Sequence, residues 1–350
     1  MVGSASRLVD WEAAARIGSR VAGTGPAPGR GGAAAVHREF ETILAEADAA
    51  VASFTGLRTG EPPTRPWVMS RAEWIRRNLR AFEAVLEPVA ERLLGRRLEG
   101  ALAPVRRSVL AAQIGGILGY LGRKVLGQYD LFMPPDDRDL LYFVGPNVTE
   151  VERRFRFPPR DFRLWLALHE VTHRAQFDGV PWLRGYLFGL MEEYLSTIQL
   201  DPRRLLEDLR RAVSEARRSD RWRELGILFL LMTPEQRTTF RKMQALMSLL
   251  EGHGNFVMDR VGLDVIRDAA RMRSTLRERR QGTPASRVLQ RAIGVDVKVR
   301  QYDVGEAFVS RAVELAGPDG FARLWERPEH LPTLEEIARP GDWVERVAAA

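Results

Sequence analysis

From His37 onward, apolar residues in this chain of 350 recur every three or four positions, and almost nowhere do they alternate one by one. The first pattern lines one side of a helix, whereas alternation would line one face of a strand. The exception is Leu140–Val144 (LLYFV), a continuous apolar run rich in aromatic and aliphatic side chains. It predicts one short strand at about residues 139–145. The expected fold class is therefore mainly α with a small β element, and 45% hydrophobic content is enough to bury a substantial core.

Breaks fall at Pro/Gly clusters around 57–66, 127–137, 157–159, 281–285 and 316–320. The segment Gly23–Ala35 (GTGPAPGRGGAAA) has no apolar periodicity and reads as a flexible connector. Residues 1–36 are thus expected to be an N-terminal segment with its connector, and 37–350 one mainly helical domain. Ser70 followed by Glu73 predicts a capping box opening a helix to about Leu94. Thr233-Pro234-Glu235-Gln236 predicts a second box, with proline in the first turn, starting the helix that carries Glu251.

The most apolar stretch, Val109–Gly122, is shorter than the roughly 20 residues a bilayer span requires. It reads as a buried core helix whose Gly115, Gly116, Gly119 and Gly122 let a neighbour approach closely. No membrane association is expected. Near the N-terminus Asp10, Glu12 and Arg16 interrupt the apolar core that a cleaved secretory signal needs, which points to a cytoplasmic location. The formal charge of +7 comes almost wholly from Arg, Lys occurring only at Lys124, Lys242 and Lys298. Basic pairs such as Arg76-Arg77 and Arg203-Arg204 are interleaved with Glu and Asp, as on solvated helix faces, so no nucleic-acid partner is expected. Nothing in the pattern sets an oligomeric state.

The chemistry concentrates in His169-Glu170-Val171-Thr172-His173. Histidines four apart on a helix lie about 40° from one another around the axis and one turn along it, close enough to share an ion. In an HExxH helix the adjacent carboxylate faces a metal-bound water and takes its proton as general base. With five His in the chain, the motif arises by chance in roughly one such sequence in two hundred, which sets it apart from background. The apolar periodicity of Asp161–Leu168 places it on a buried helix. There is no Cys, so any metal is held by His, Asp or Glu, and zinc is the expected cofactor.

A catalytic zinc needs a third protein ligand and an open position. The metzincin arrangement is excluded, because Gln176 and Gly179 stand where it requires Gly and His. Met247–Asp259 (MSLLEGHGNFVMD) supplies Glu251 instead, a carboxylate in an apolar helix that is costly to bury unless paired or metal-bound. Gly252 and Gly254 each destabilise that helix by about 1 kcal/mol relative to Ala, which is explained if its backbone must approach another helix or a substrate. The expected site lies between the helices carrying 161–178 and 234–261. His253 points about 200° from Glu251, so both do not easily reach one ion. It is a catalytic candidate, as oxyanion stabiliser or proton donor, with a satisfied core histidine as the alternative. Asn255, four after Glu251, is a candidate to accept a hydrogen bond from a ligand imidazole, and Asp259 is a further candidate one turn on.

This arrangement resembles the gluzincin branch of zinc metallopeptidases. More closely, the chain resembles a bacterial zincin-like hydrolase family, some of whose members are labelled as associated with biosynthesis of a deazaflavin coenzyme. The resemblance is carried by LGQYDLFMP (126–134), LLYFVGPNV (140–148), DFRLWLALHEVTHRAQFDGVPWL (161–183), MSLLEGHGNFVMDRVG (247–262) and KVRQYDVGEAFV (298–309). It implies a mostly helical zincin-like fold with zinc on His169, His173 and Glu251 and with Glu170 as base; it implies no particular substrate. One departure stands out: thermolysin-like enzymes carry Asp where this chain has Asn255. Tyr120, Tyr129, Tyr186, Tyr194 and Tyr302 are all candidate oxyanion donors. The function expected is a zinc-dependent hydrolase, a peptidase or amidase acting on a peptide or small molecule. The competing expectation is a helical binding or scaffold protein with a structural or catalytically silent zinc site.

Overall fold

A computed structural model describes residues 7–26, 32–94, 100, 102–132, 137–197, 232–281 and 295–348. It is mainly helical with one three-stranded sheet. The chain divides into two compact units, Met1–Ala49 with Glu61–Val171, and Ala50–Gly60 with Thr172–Ala350. Helices α2 (Gly32–Thr55) and α6 (Pro159–Gly179) each contribute to both. No helix among the described residues is long and apolar enough to cross a membrane.

In the first unit, β1 (Arg65–Met69) runs parallel to β3 (Leu140–Val144), and β2 (Gly127–Tyr129) pairs antiparallel on the other side of β3. The strand expected from LLYFV is the central one. Its Leu141, Tyr142, Phe143 and Val144 are all fully buried, which is why it reads as a continuous apolar run rather than an alternation. Phe40 of α2 stacks on Phe143 at 3.9 Å, and Trp67 meets Tyr142 edge-on at 5.4 Å. The sequence pattern missed β1 and β2; all of β2 and the first two residues of β1 fall inside stretches read as Pro/Gly breaks. Pro66 is tolerated because β1 is an edge strand, and β2 is only three residues long.

Helices α3 (Arg71–Leu94) and α4 (Ala103–Leu121) make the crossover between β1 and β2. The first starts at the expected capping box: the Glu73 carboxylate accepts from Ser70 N at 2.7 Å, and Glu73 N donates to Ser70 Oγ at 3.2 Å. The N-terminal residues carry α1 (Trp11–Ala22), which packs along α4. The glycines explain how close that packing is. A Cβ on Gly115 would lie 2.5 Å from the Ala14 carbonyl oxygen, and one on Gly119 2.7 Å from that of Gly18. The opposite side of α4 leaves Val105 and Val109 exposed, so this helix is buried on one side only, whereas Val109–Gly122 was expected to be a buried core helix. Helix α2 begins at Gly32, within the stretch expected to be connector as far as Ala35.

The turn after α4 is held by a buried polar knot. Asn147, in α5 (Gly145–Phe155), donates to the carbonyls of Gly122 and Val125 at 2.8 and 2.6 Å and accepts from Arg71 Nε at 2.6 Å. This fixes the chain immediately before β2.

In the second unit, α8 (Pro234–Val265) starts at the capping box expected from Thr233 and Gln236, and it packs along α10 (Val295–Ala322). Gly252 and Gly305 set that contact: a Cβ on Gly305 would lie 1.9 Å from the Ser248 carbonyl oxygen, and one on Gly252 2.2 Å from the Gly305 carbonyl carbon. The destabilising Gly252 is thus explained by helix approach. Helix α7 (Leu183–Ser196) also packs on α8, and α9 (Ala269–Gln281) follows it. Arg203-Arg204 lie outside the described residues.

Candidate metal centre

Helix α6 is buried on nearly every side through its middle, with Phe162, Leu164, Trp165, Leu166, Ala167, Leu168 and Val171 all inside. Buried Arg163 is neutralised by Glu152, whose two oxygens accept at 2.7 and 3.0 Å, and by Glu39. This burial carries His169 and Glu170 into the interior, at 9% and 5% exposure. One helical turn on, His173 presents Nε2 to the Glu251 carboxylate of α8 at 3.5 Å. Ligand atoms of His169, His173 and Glu251 all lie within 4.8 Å of one another. Two imidazoles and a carboxylate are a donor set that catalytic zinc takes, with the fourth position left for water or substrate. The residues present fit the ion.

Glu170 is positioned by strand β2. Its Oε2 accepts a hydrogen bond from the backbone N–H of Tyr129 at 3.0 Å. Gly127, two residues earlier on the same face of the strand, leaves room for the side chain: a Cβ there would lie 2.7 Å from Glu170 Oε1 and 2.8 Å from its Cγ. Gln128, on the opposite face, is clamped by Trp74 Nε1, which donates to its Oε1 at 2.6 Å, and by Asn78. Gly127→Ala is expected to displace the Glu170 carboxylate while the zinc content stays that of wild type. If Glu170 serves as general base, turnover should fall about 10- to 100-fold, since misplacing a catalytic group by about 1 Å is worth that much. Parallel metal analysis and peptide-hydrolysis assays check this, and full turnover would show that the cradle does not matter.

His253 lies apart from the three grouped residues. Its ring is buried between Phe321, at 5.9 Å, and Trp325, at 5.2 Å. Burial, reinforced by the nearby His173, lowers its pKa to about 3. Its Nδ1 is 2.9 Å from Gln176 Nε2. Asn255 is buried, and among the described residues neither atom of its carboxamide has a hydrogen-bond partner. Asp259 is instead engaged by Arg273 at 2.6 Å, in a network where Arg273 and Arg277 both pair with Glu306. Of the tyrosines, Tyr129 is tied to Glu170 through its backbone; Tyr186 and Tyr194 lie on α7, Tyr120 on α4, and the Tyr302 side chain is outside the described residues.

Sequence reasoning missed Gly127, the Tyr129 amide and Gln176. Gly127 sits in a stretch that reads as a break, and in the sequence Gln176 serves only to exclude a metzincin. Its spacing of three from His173, which puts both on one helix face, was the available signal.

A model of the zincin-like metallopeptidase family matches residues 9–344. The chain belongs to that family. It is also similar, at 32% identity and a TM-score of 0.72, to a crystal structure from Chloroflexus aurantiacus described as "a putative hydrolase with a novel fold". That match covers 97% of this chain and 98% of the other. A comparison with curated proteins finds no match. The mainly helical body with its small sheet is thus a zincin-like fold, and the cysteine-free donor set His169, His173 and Glu251 agrees with the metal such a family implies.

Proposed function

We propose that this chain is a zinc-dependent hydrolase acting on peptide or other amide bonds, with His169, His173 and Glu251 as ligands and Glu170 as general base. The observation that carries the reading is the convergence of the three ligand atoms within 4.8 Å, beside a carboxylate anchored by a backbone amide. When bound, zinc supplies Lewis-acid polarisation of a carbonyl and makes water nucleophilic at neutral pH. Glu170 then has two tasks. It removes a proton from the attacking water as the new C–O bond forms, and it delivers that proton to the leaving amine as the C–N bond breaks. Asn255, one turn after Glu251, is the candidate to support a ligand imidazole, since its carboxamide is buried and otherwise unsatisfied among the described residues. Asp259, already held by Arg273, is a weaker candidate for that task.

Metal analysis tests the reading first. Protein purified without added zinc is expected to contain about one ion per chain, and Glu251→Ala, which removes one of three ligands, to contain close to none. A metal-free wild type that takes up no zinc on titration would sink the proposal.

A second reading, a zinc site that stabilises the fold without turning over substrate, is favoured by Asn255 standing where thermolysin-like enzymes have a carboxylate. It predicts no hydrolysis across peptide, ester and amide libraries, together with a large fall in melting temperature on chelation.

A further inference from the structure

We propose that Gln176 is a positioning residue that fixes the ring tautomer of His173, with His253 completing its hydrogen bonding, and that this relay sets the affinity of the site for its metal. The inference rests on the zinc reading above. Gln176 is fully buried, and its carboxamide lies 3.2 Å from Leu250 O, 2.9 Å from His253 Nδ1 and 3.0 Å from His173 Nδ1.

Leu250 O only accepts, so the amide end of Gln176, Nε2, faces it. The opposite end, Oε1, therefore faces His173. A carboxamide oxygen also only accepts, so His173 carries its proton on Nδ1 and keeps the Nε2 lone pair on the side of Glu251. The second amide hydrogen of Gln176 points at His253 Nδ1, which must then be the unprotonated nitrogen of a neutral ring. The aromatic walls of Phe321 and Trp325 hold that ring in place.

Every hydrogen-bonding atom of the Gln176 carboxamide is used. Leu250 immediately precedes Glu251 on α8, so the helix that delivers the third ligand also orients the second. His253, which on sequence was a candidate to act on substrate, acts through Gln176.

The test measures zinc affinity by chelator competition in the full-length chain, alongside ¹⁵N spectra of the histidine rings. Gln176→Leu, similar in volume but with no acceptor, is expected to weaken zinc binding about 10- to 100-fold, the usual effect of losing such a partner. It should also remove the preference for the Nδ1–H form of His173. Gln176→Glu, buried and protonated so that its O–H donates toward Leu250 O or His253 Nδ1, keeps an oxygen for His173 and is expected to restore most of the affinity, which a purely structural role would not predict. His253→Phe preserves the ring packing and leaves Gln176 with Leu250 and His173, so its loss should be smaller. Wild-type zinc binding with Gln176→Leu within about twofold of it, or with both Gln176 variants equally impaired, overturns the relay alone. A wild type with no zinc affinity overturns the functional reading as well.

Discussion

Glu170→Gln is expected to keep about one zinc per chain and to lose about 10²- to 10⁴-fold in turnover, the range that general base catalysis contributes. The substitution isolates one property. Gln matches Glu in size, still offers an oxygen to the Tyr129 N–H, and fits the space left by Gly127. It cannot take a proton from water. Parallel metal analysis and hydrolysis of a quenched-fluorescent peptide library check the outcome. Turnover equal to wild type would remove Glu170 from the mechanism and leave the metal site intact.

A second large effect is expected where α10 packs against the helix that carries Glu251. Gly305→Ala would place a methyl group 1.9 Å from the Ser248 carbonyl oxygen, and because that atom is helix backbone, no side-chain rotation relieves the clash. Helices α8 and α10 must move apart, at a cost of about 3 kcal/mol. For a unit of this size that lowers the melting temperature by about 6–12 °C. Gly116→Ala is the control, since nothing lies within 4 Å of its added Cβ and Ala is the better helix former. Thermal denaturation of both variants decides the matter. A Gly305→Ala protein as stable as wild type would mean that α8 and α10 are less closely packed than described.

The two capping boxes, the helix bearing His169, Glu170 and His173, and the LLYFV strand were all legible in the sequence. So was the pairing of Glu251 rather than His253 with the two histidines, because about 100° per residue separates their directions on one helix. These features depend on local spacing, and local spacing is what a sequence displays.

Strands β1 and β2 were not legible. Each is short, one carries a proline and the other a glycine, and their pairing depends on β3 being present between them. The cradle for Glu170 required bringing Gly127 and Tyr129 against a side chain about forty residues away, at hydrogen-bond distance through a backbone amide that has no residue-specific signature. Gln176 meets Leu250 and His253 across gaps of 74 and 77 positions. The sequence by itself determined that His169 and His173 share a helix face and offered Glu251 as a third candidate donor. Only the tertiary structure decided that Glu251 meets those histidines and how the side chains are oriented, because contacts and hydrogen bonds of about 3 Å between distant segments exist only once packing has fixed the backbones that carry them.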